Sequence, residues 1–370
     1  MLADPKFMSE AVRKIEIVRE LMKAHDLEAV LLKGVDWFSW VTGGGNSVVI
    51  YTSEVGVAEV LITQEKAWVL TDAIERERLL NEEVPPVFAL LAFPWENINS
   101  SQDFVHRHLK ISRCASDRPS IQELPLHFDF HKAKMTLADD ELERYRRLGK
   151  DAAEAMTEAL SFATPDWTEF EVASEGARSL LRRGIDPTLV MVGSHRRIQI
   201  YRHPIATDEK IGDAAMMVFC ARQGGLYANL TRFVYFRKMK EEEKRSHQHV
   251  LEVESAVLKA CLKKQSMSSL YQVLKNSYMQ RGYPEEIHRH HQGGLTGYLS
   301  REHVARPESP EDYRIYDSCA VAWNPTLPGA KIEDTILVNE HGLEVLTVDE
   351  RWPTQEYEGL RRPLPWIKEP

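Results

Sequence analysis

From residue 136 onward the hydrophobic pattern changes period in a set order: two helical stretches, three short β-rich runs, two more helical stretches, and finally strands and loops. Each helix has to bury a stripe and each strand a face, so this order describes a layered α/β (α+β) domain. TLADDELERYRRLGKDAAEAMTEAL carries acids early, bases in its middle and an Ala/Leu/Met stripe, the pattern of a long capped helix with its start signal at Thr136. A second helix fits EFEVASEGARSLLRRG, and strands fit TLVMVG, AAMMVFCA and YANLTRFVYF. Helices then cover 240 to 263 and 267 to 281. Two helix pairs, each followed by antiparallel-looking strands, hint at an internal duplication, although no residue-level repeat accompanies it.

The preceding residues form a different pattern. SEAVRKIEIVRELMKAH, 9 to 25, repeats apolar residues at helical spacing behind a Ser cap. EAVLLKG, SVVIYT, AEVLIT and AWVLTD follow as short β-rich runs bounded by Gly, Asp or Thr, and predict the strands of a mixed α/β domain. A loop rich in Pro, Ser and Arg, 113 to 126, leads through HFDFHKAKMT to the helix start at Thr136. A chain of 370 residues exceeds one ordinary core, so two domains are expected, 1–135 and 136–370, with RRPLPWIKEP as a surface extension.

Composition narrows the function. At 43% hydrophobic and 28% charged, the chain has the apolar area to fold. A net charge of -9 with both signs interspersed argues against a nucleic-acid partner, which needs clustered Lys and Arg. Cys114, Cys220, Cys261 and Cys319 show no CxxC spacing and read as reduced packing residues. No secretory leader pattern opens the sequence and no run of 18 apolar residues occurs, so a cytoplasmic protein without a membrane partner is expected, and the NLT sequon at Asn229 is idle. KMKEEEKR reads as a solvated helix start, HQH at 247 to 249 as part of that helix face, and WFSW at 37 to 40 as core and interface.

Four segments place polar residues beside Gly or Pro where a plain core would not need them: GSHRRIQIYRHPIATDEKIGD, VFCARQGGLYANLTRF, HRHHQGGLTGYLSRE and AWNPTLPGAKIEDTILV. In the third, His288, His290 and His291 crowd against Gly293 and Gly294, whose missing side chains let a ligand or another backbone come close. Three imidazoles suggest a metal, yet one local cluster does not complete a coordination shell. Arg301 and Glu302, just beyond, read in isolation as an exposed ion pair.

Together the four segments resemble the M24 peptidases and creatinases. That resemblance implies a creatinase-type N-terminal domain followed by a pita-bread domain. Members with metal hold two divalent ions on Asp, Asp, His, Glu and Glu. By resemblance the two Asp positions, eleven residues apart, fall on Val218 in GDAAMMV and Asn229 in YANLTR. The His falls on His290 or His291, the first Glu on Asn324 in AWNP, and the second on Glu333 in KIEDTILV. One carboxylate and a neutral imidazole cannot offset two hard cations, so no dinuclear centre is expected. No cofactor is expected, and a single ion on His290 or His291 with Glu333 and waters is the alternative.

The resemblance leans to the metal-free creatinase branch, where a His acts as acid and base. GG-x-x-GY-x-x-RE here is similar to a creatinase stretch, which makes Arg301 the substrate-gripping Arg, and HPIAT is similar to the segment holding the acid/base His, here His203 with Arg202 before it and Pro204 directly after. Expected catalytic residues are His203, His290, His291 and Glu333; expected substrate contacts are Arg202, Arg301, Tyr298, Asn324, Asn229 and Glu302. The expected activity is metal-independent hydrolysis of an amide or amidine C–N bond in a small polar substrate, because neutral imidazole can move the proton that a metal-bound water would lose. The alternatives are an Xaa-Pro peptidase-like metalloenzyme, a metal-free lyase or isomerase, and a degenerate binding protein. The resemblance also implies a homodimer, with Trp37 or Phe38 lining the partner's pocket.

Overall fold

The computed structural model describes residues 5–368. The chain divides into two compact units at the Met135/Thr136 junction.

In the first unit, helices α1 (Pro5–Ala24), α2 (Val35–Val41), α3 (Arg76–Arg78), α4 (Ser100–Gln102) and α5 (Phe128–Met135) accompany strands β1 (Ala29–Gly34), β2 (Val55–Thr63), β3 (Ala67–Asp72), β4 (Ala89–Phe93), β5 (Cys114–Ser116) and β6 (Leu124–Pro125). The sheet order is β4-β3-β2-β1-β5-β6, antiparallel at β1/β2 and β2/β3 and parallel elsewhere. The run SVVIYT is not a strand: Asn46 Oδ1 accepts the Val48 N–H at 3.0 Å, turning the chain, and Val49, Ile50 and Tyr51 are exposed. The 113 to 126 loop contains the two short strands β5 and β6. Trp37, Phe38 and Trp40 are buried, with the Trp37 ring edge-on to Trp40 at 5.6 Å between centres. The amphipathic α1 turns Ala11, Ile15, Val18 and Met22 inward, as its spacing requires.

In the second unit, α6 (Asp139–Phe162) and α7 (Glu169–Leu181) precede β7 (Asp186–Ser194), β8 (Ala214–Gln223) and β9 (Leu226–Tyr235). Then come α8 (Glu241–Cys261), α9 (Met267–Gln280), β10 (Gly293–Thr296), β11 (His303–Val304), β12 (Cys319–Trp323), β13 (Thr326–Leu327), β14 (Ala330–Lys331), β15 (Asp334–Asn339), β16 (Gly342–Val345), β17 (Thr354–Tyr357), β18 (Leu360–Pro363) and β19 (Trp366–Ile367). The cap of α6 is Ala138 rather than Thr136: Glu141 accepts the Ala138 N–H at 2.9 Å, so the acid three residues on sets the start without a side-chain oxygen at the cap. At α7 the full reciprocal cap forms between Thr168 and Glu171.

Two sheets carry this unit, β19-β9-β8-β7 and β11-β10-β12-β15-β16. Gly224 and Gly225, both at positive φ, close the β8/β9 hairpin in two residues. Alternation then splits the strands by face. Met217 and Phe219 lie against Gly176 of α7, while Met216 and Val218 join Met191, Ile198 and Phe233 in an apolar cluster. Gly293 and Gly294 serve strand pairing: a Cβ on Gly293 would stand 2.0 Å from the Ala322 carbonyl oxygen, and one on Gly294 2.1 Å from that of His303.

RRPLPWIKEP is not a loose extension over its described residues. Arg362 is 1% exposed and ion-paired to Glu254 and Asp334, and Trp366 pairs beside Val234 in a parallel ladder. Nor does HQH lie wholly on a solvated face: His247 is half-buried, 3.1 Å from the Tyr235 hydroxyl, and desolvation lowers its pKa to about 4.

Gly293→Ala therefore combines a backbone clash with a left-handed φ, and is expected to destabilise the protein by about 2 kcal/mol. A lowered urea midpoint at unchanged slope is the expected result; an unchanged midpoint contradicts the strand-packing role.

Candidate active site

One backbone row assembles the site. Val218 pairs with Thr231 across the hairpin, and Thr231 bridges to Glu333. Glu333 faces Asn324, one step beyond the Trp323–Asp334 pair, and the Asn324 N–H donates to the Gln292 carbonyl at 3.1 Å. Three of the four positions that the resemblance assigns to metal-binding acids, Val218, Asn324 and Glu333, thus fall in one row where the two sheets touch, and Asn229 pairs with Cys220 two residues along the hairpin. Gln292, rather than His290 or His291, completes the row, and its side chain accepts from the Tyr278 hydroxyl and donates to the His290 carbonyl.

Glu333 is the centre. It is 1% exposed, and both carboxylate oxygens are engaged: Oε1 accepts from Arg301 Nη2 at 2.5 Å, while Oε2 accepts from the Thr231 hydroxyl at 2.8 Å and pairs with Lys331 Nζ at 3.3 Å. Burial pushes its carboxyl upward, but Lys331 and Arg301, helped by Thr231, outweigh that and hold it at about 2. Lys331 itself is buried. Sequence reading missed it, although the K-x-E spacing in an extended segment places both side chains on one face. Beside Lys331 lies a cavity of about 220 Å³ whose walls include Thr231, Phe233, His247 and Leu251.

Three imidazoles complete the cluster. His203 comes from the loop between β7 and β8, and His290 and His291 from the approach to β10. His290 Nε2 and His203 Nε2 are 2.9 Å apart, and the His290 and His291 rings stack at 4.6 Å. His290 is buried while His203 and His291 are exposed; partial desolvation and the Lys331 and Arg301 charges lower the pKa of all three, against the opposing pull of Glu333 on His203 and His291. Neutral imidazoles at pH 7 follow, beside two cations and one carboxylate.

The amides are buried with unused acceptors. Asn229 is fully enclosed; its Nδ2 donates to Thr296 Oγ1 at 3.0 Å and to the Ser300 carbonyl at 3.4 Å, which directs Oδ1 elsewhere, and that oxygen has no partner among the described residues. Asn324 Oδ1, His290 Nδ1 and Arg301 Nε are likewise buried without one. Enclosure of Asn229 also removes the sequon from any modifying enzyme.

Other expected substrate contacts turn away to protein partners. Arg202 donates to Glu286 at 2.6 Å, an ion pair of two largely buried groups. The Tyr298 hydroxyl donates to Glu141 at the start of α6. Glu302 is not an exposed pair with Arg301: its Oε1 accepts the N–H groups of Tyr298 and Leu299 and closes the turn after β10. Side-chain type suggested binding roles, but the partners lie far off in sequence or in the backbone.

The fold is similar to those of an Xaa-Pro dipeptidase from Bacillus anthracis (TM-score 0.73, 16% identity, 97% of this chain and 100% of that one) and an X-Pro aminopeptidase from Thermotoga maritima (TM-score 0.73, 18% identity, 96% and 99%). The N-terminal domain of the FACT complex subunit SPT16 from Cicer arietinum is also similar (TM-score 0.67, 13% identity, 92% and 96%). The second unit is thus a pita-bread domain. A sequence profile described as metallopeptidase family M24 matches residues 143–340, and the chain belongs to that family. An uncharacterized peptidase of Staphylococcus aureus is 24% identical over 224 residues, a match spanning 57% of this chain and 62% of that relative.

The family description implies metal, and the donors here can be tested against it. Val218 offers no donor, the two amides are neutral, and the carboxylate of Glu333 is already neutralised by Arg301 and Lys331. This set does not fit a dinuclear centre, which needs several anionic oxygens. Among the described residues, no helix is long and apolar enough to cross a membrane.

Two measurements check the electrostatics. Removing one cation from the buried group, Lys331→Met, is expected to cost about 3 kcal/mol and to raise the Glu333 carboxyl above about 2, read by urea unfolding and carboxyl NMR. The histidine pKa values lie below the ordinary 6.5, so the unfolded chain binds protons that the folded chain refuses. Their contribution is neutral above 6.5 and increasingly destabilising as pH falls below it. An NMR titration in which these three rings charge above pH 6.5 contradicts the assignment.

Proposed function

We propose that this protein is a hydrolase of a C–N bond, amide or amidine, in a small polar substrate bearing a carboxylate, and that it works without the metal pair of its metallopeptidase relatives. The observation that carries this reading is the saturation of Glu333 by Arg301, Lys331 and Thr231 beside neutral His203 and His290. Tethered cations stand against the one remaining acid, and the hydrogen-bonded His203/His290 pair keeps one imidazole lone pair for proton transfer.

His203 takes a proton from water as the water oxygen bonds to the substrate carbon, the C–N bond breaks, and that proton passes to the leaving nitrogen. His290, in contact with His203, orients its ring or shares the proton. The local charge, two cations against one carboxylate with neutral rings, favours an anionic substrate; Arg301 Nε–H supplies an unused donor for it. Asn229 and Asn324 supply unused carbonyl oxygens suited to substrate N–H groups. Family membership and the prolidase-like fold support peptide or amide chemistry, while the imidazole and guanidinium set supports the metal-free route. The homodimer belongs to the same reading and is checked by light scattering.

Turnover is expected on a panel of carboxylate-bearing amides and amidines, with oxygen from labelled water appearing in the product and with no loss after chelation. His203→Ala should lower kcat about 100-fold or more. Two equivalents of copurifying metal whose removal abolishes turnover overturns the mechanism, and product without labelled oxygen makes the protein a lyase or isomerase.

A further inference from the structure

The first unit gathers a second set of donor atoms, independent of the hydrolase reading. His25 follows the last residue of α1, and His127 and Asp129 stand on either side of Phe128, where α5 begins. His25 Nε2 is 2.9 Å and His127 Nδ1 3.1 Å from the same oxygen, Asp129 Oδ2, and the two rings are 4.0 Å apart between centres.

One contact in this group is in conflict. The Asp129 backbone N–H donates to His127 Nδ1 at 3.3 Å, so that nitrogen presents its lone pair. A lone pair facing a carboxylate oxygen at 3.1 Å is repulsive unless a positive species lies between them. Asp129 has only these two imidazoles as ion-pair partners among the described residues, so no Lys or Arg has already neutralised it.

We propose that His25, His127 and Asp129 bind a single divalent ion of the zinc class, with water in the remaining position, and that the ion ties the end of α1 to the start of α5. Two imidazoles and a carboxylate are the ligand types such ions take, and bonds of about 2.0–2.1 Å in a tetrahedron put ligand atoms about 3.3 Å apart, close to the 2.9 and 3.1 Å from the two imidazole nitrogens to Asp129 Oδ2. The three side chains are 23%, 56% and 46% exposed, which leaves an entry path. The triad of His203, His290 and His291 also converges, but the Lys331 and Arg301 charges act on each of those rings and oppose a cation there.

The test is calorimetric titration of the full chain with Zn(II) alone, repeated on His127→Ala, Asp129→Asn and His291→Ala, with Co(II) absorption as a report on geometry. One equivalent at micromolar Zn(II) is expected for the unaltered chain and His291→Ala, weakened about 10-fold or more in His127→Ala and Asp129→Asn. Unfolding of the zinc-loaded chain should shift upward on the order of 5 °C, and this shift should vanish in His127→Ala. Binding that survives both site variants, is lost in His291→Ala instead, or does not saturate in the micromolar range overturns the proposal.

Discussion

A buried carboxylate with three protein donors organises the second unit. Removing Glu333 from water is costly, and an isolated charge there would take up a proton. Arg301, Lys331 and Thr231 come from three separate segments, so their convergence on one group requires the hairpin, the β14 turn and the turn after β10 all to be in place. Tethered cations thereby neutralise the acid at the seam of the two sheets.

The residue after Glu333 anchors the surroundings. Asp334 pairs with Arg232 at 2.8 Å and with Arg362 at 3.0 Å, and Arg362 continues to Glu254 on α8. Arg232 also donates to the Thr231 carbonyl, so the charged row behind the sheet holds the strand that presents Thr231 to Glu333. The C-terminal segment is thus fastened to the same seam as the candidate site. A pair of buried acids is balanced by a pair of buried guanidinium groups, an arrangement in which loss of one member leaves a charge stranded.

Much of this fold is legible locally. The β8 run is apolar almost throughout, as a strand buried on both faces requires, Gly-Gly demands a two-residue turn, and Thr168 with Glu171 caps α7. SVVIYT misleads because β-rich composition does not supply a neighbouring strand, and Asn46 bends the chain first. RRPLPWIKEP misleads because its Arg and Pro residues suggest solvent, whereas the partners of Arg362 stand far off in sequence, at Glu254 and Asp334.

At the site, the sequence alone determines which chemistry is present: imidazoles at 203, 290 and 291, amides at 229 and 324, an apolar group at 218 and a carboxylate at 333. Those are properties of covalent structure, and no folding changes them. Tertiary structure alone decides that Lys331 joins Glu333, that Gln292 enters the strand row, and that Arg202, Tyr298 and Glu302 spend their polar groups on the protein itself. Register and pairing between distant segments set those outcomes, because a charged or hydrogen-bonding group takes its role from whichever partner the fold brings within about 3 Å of it.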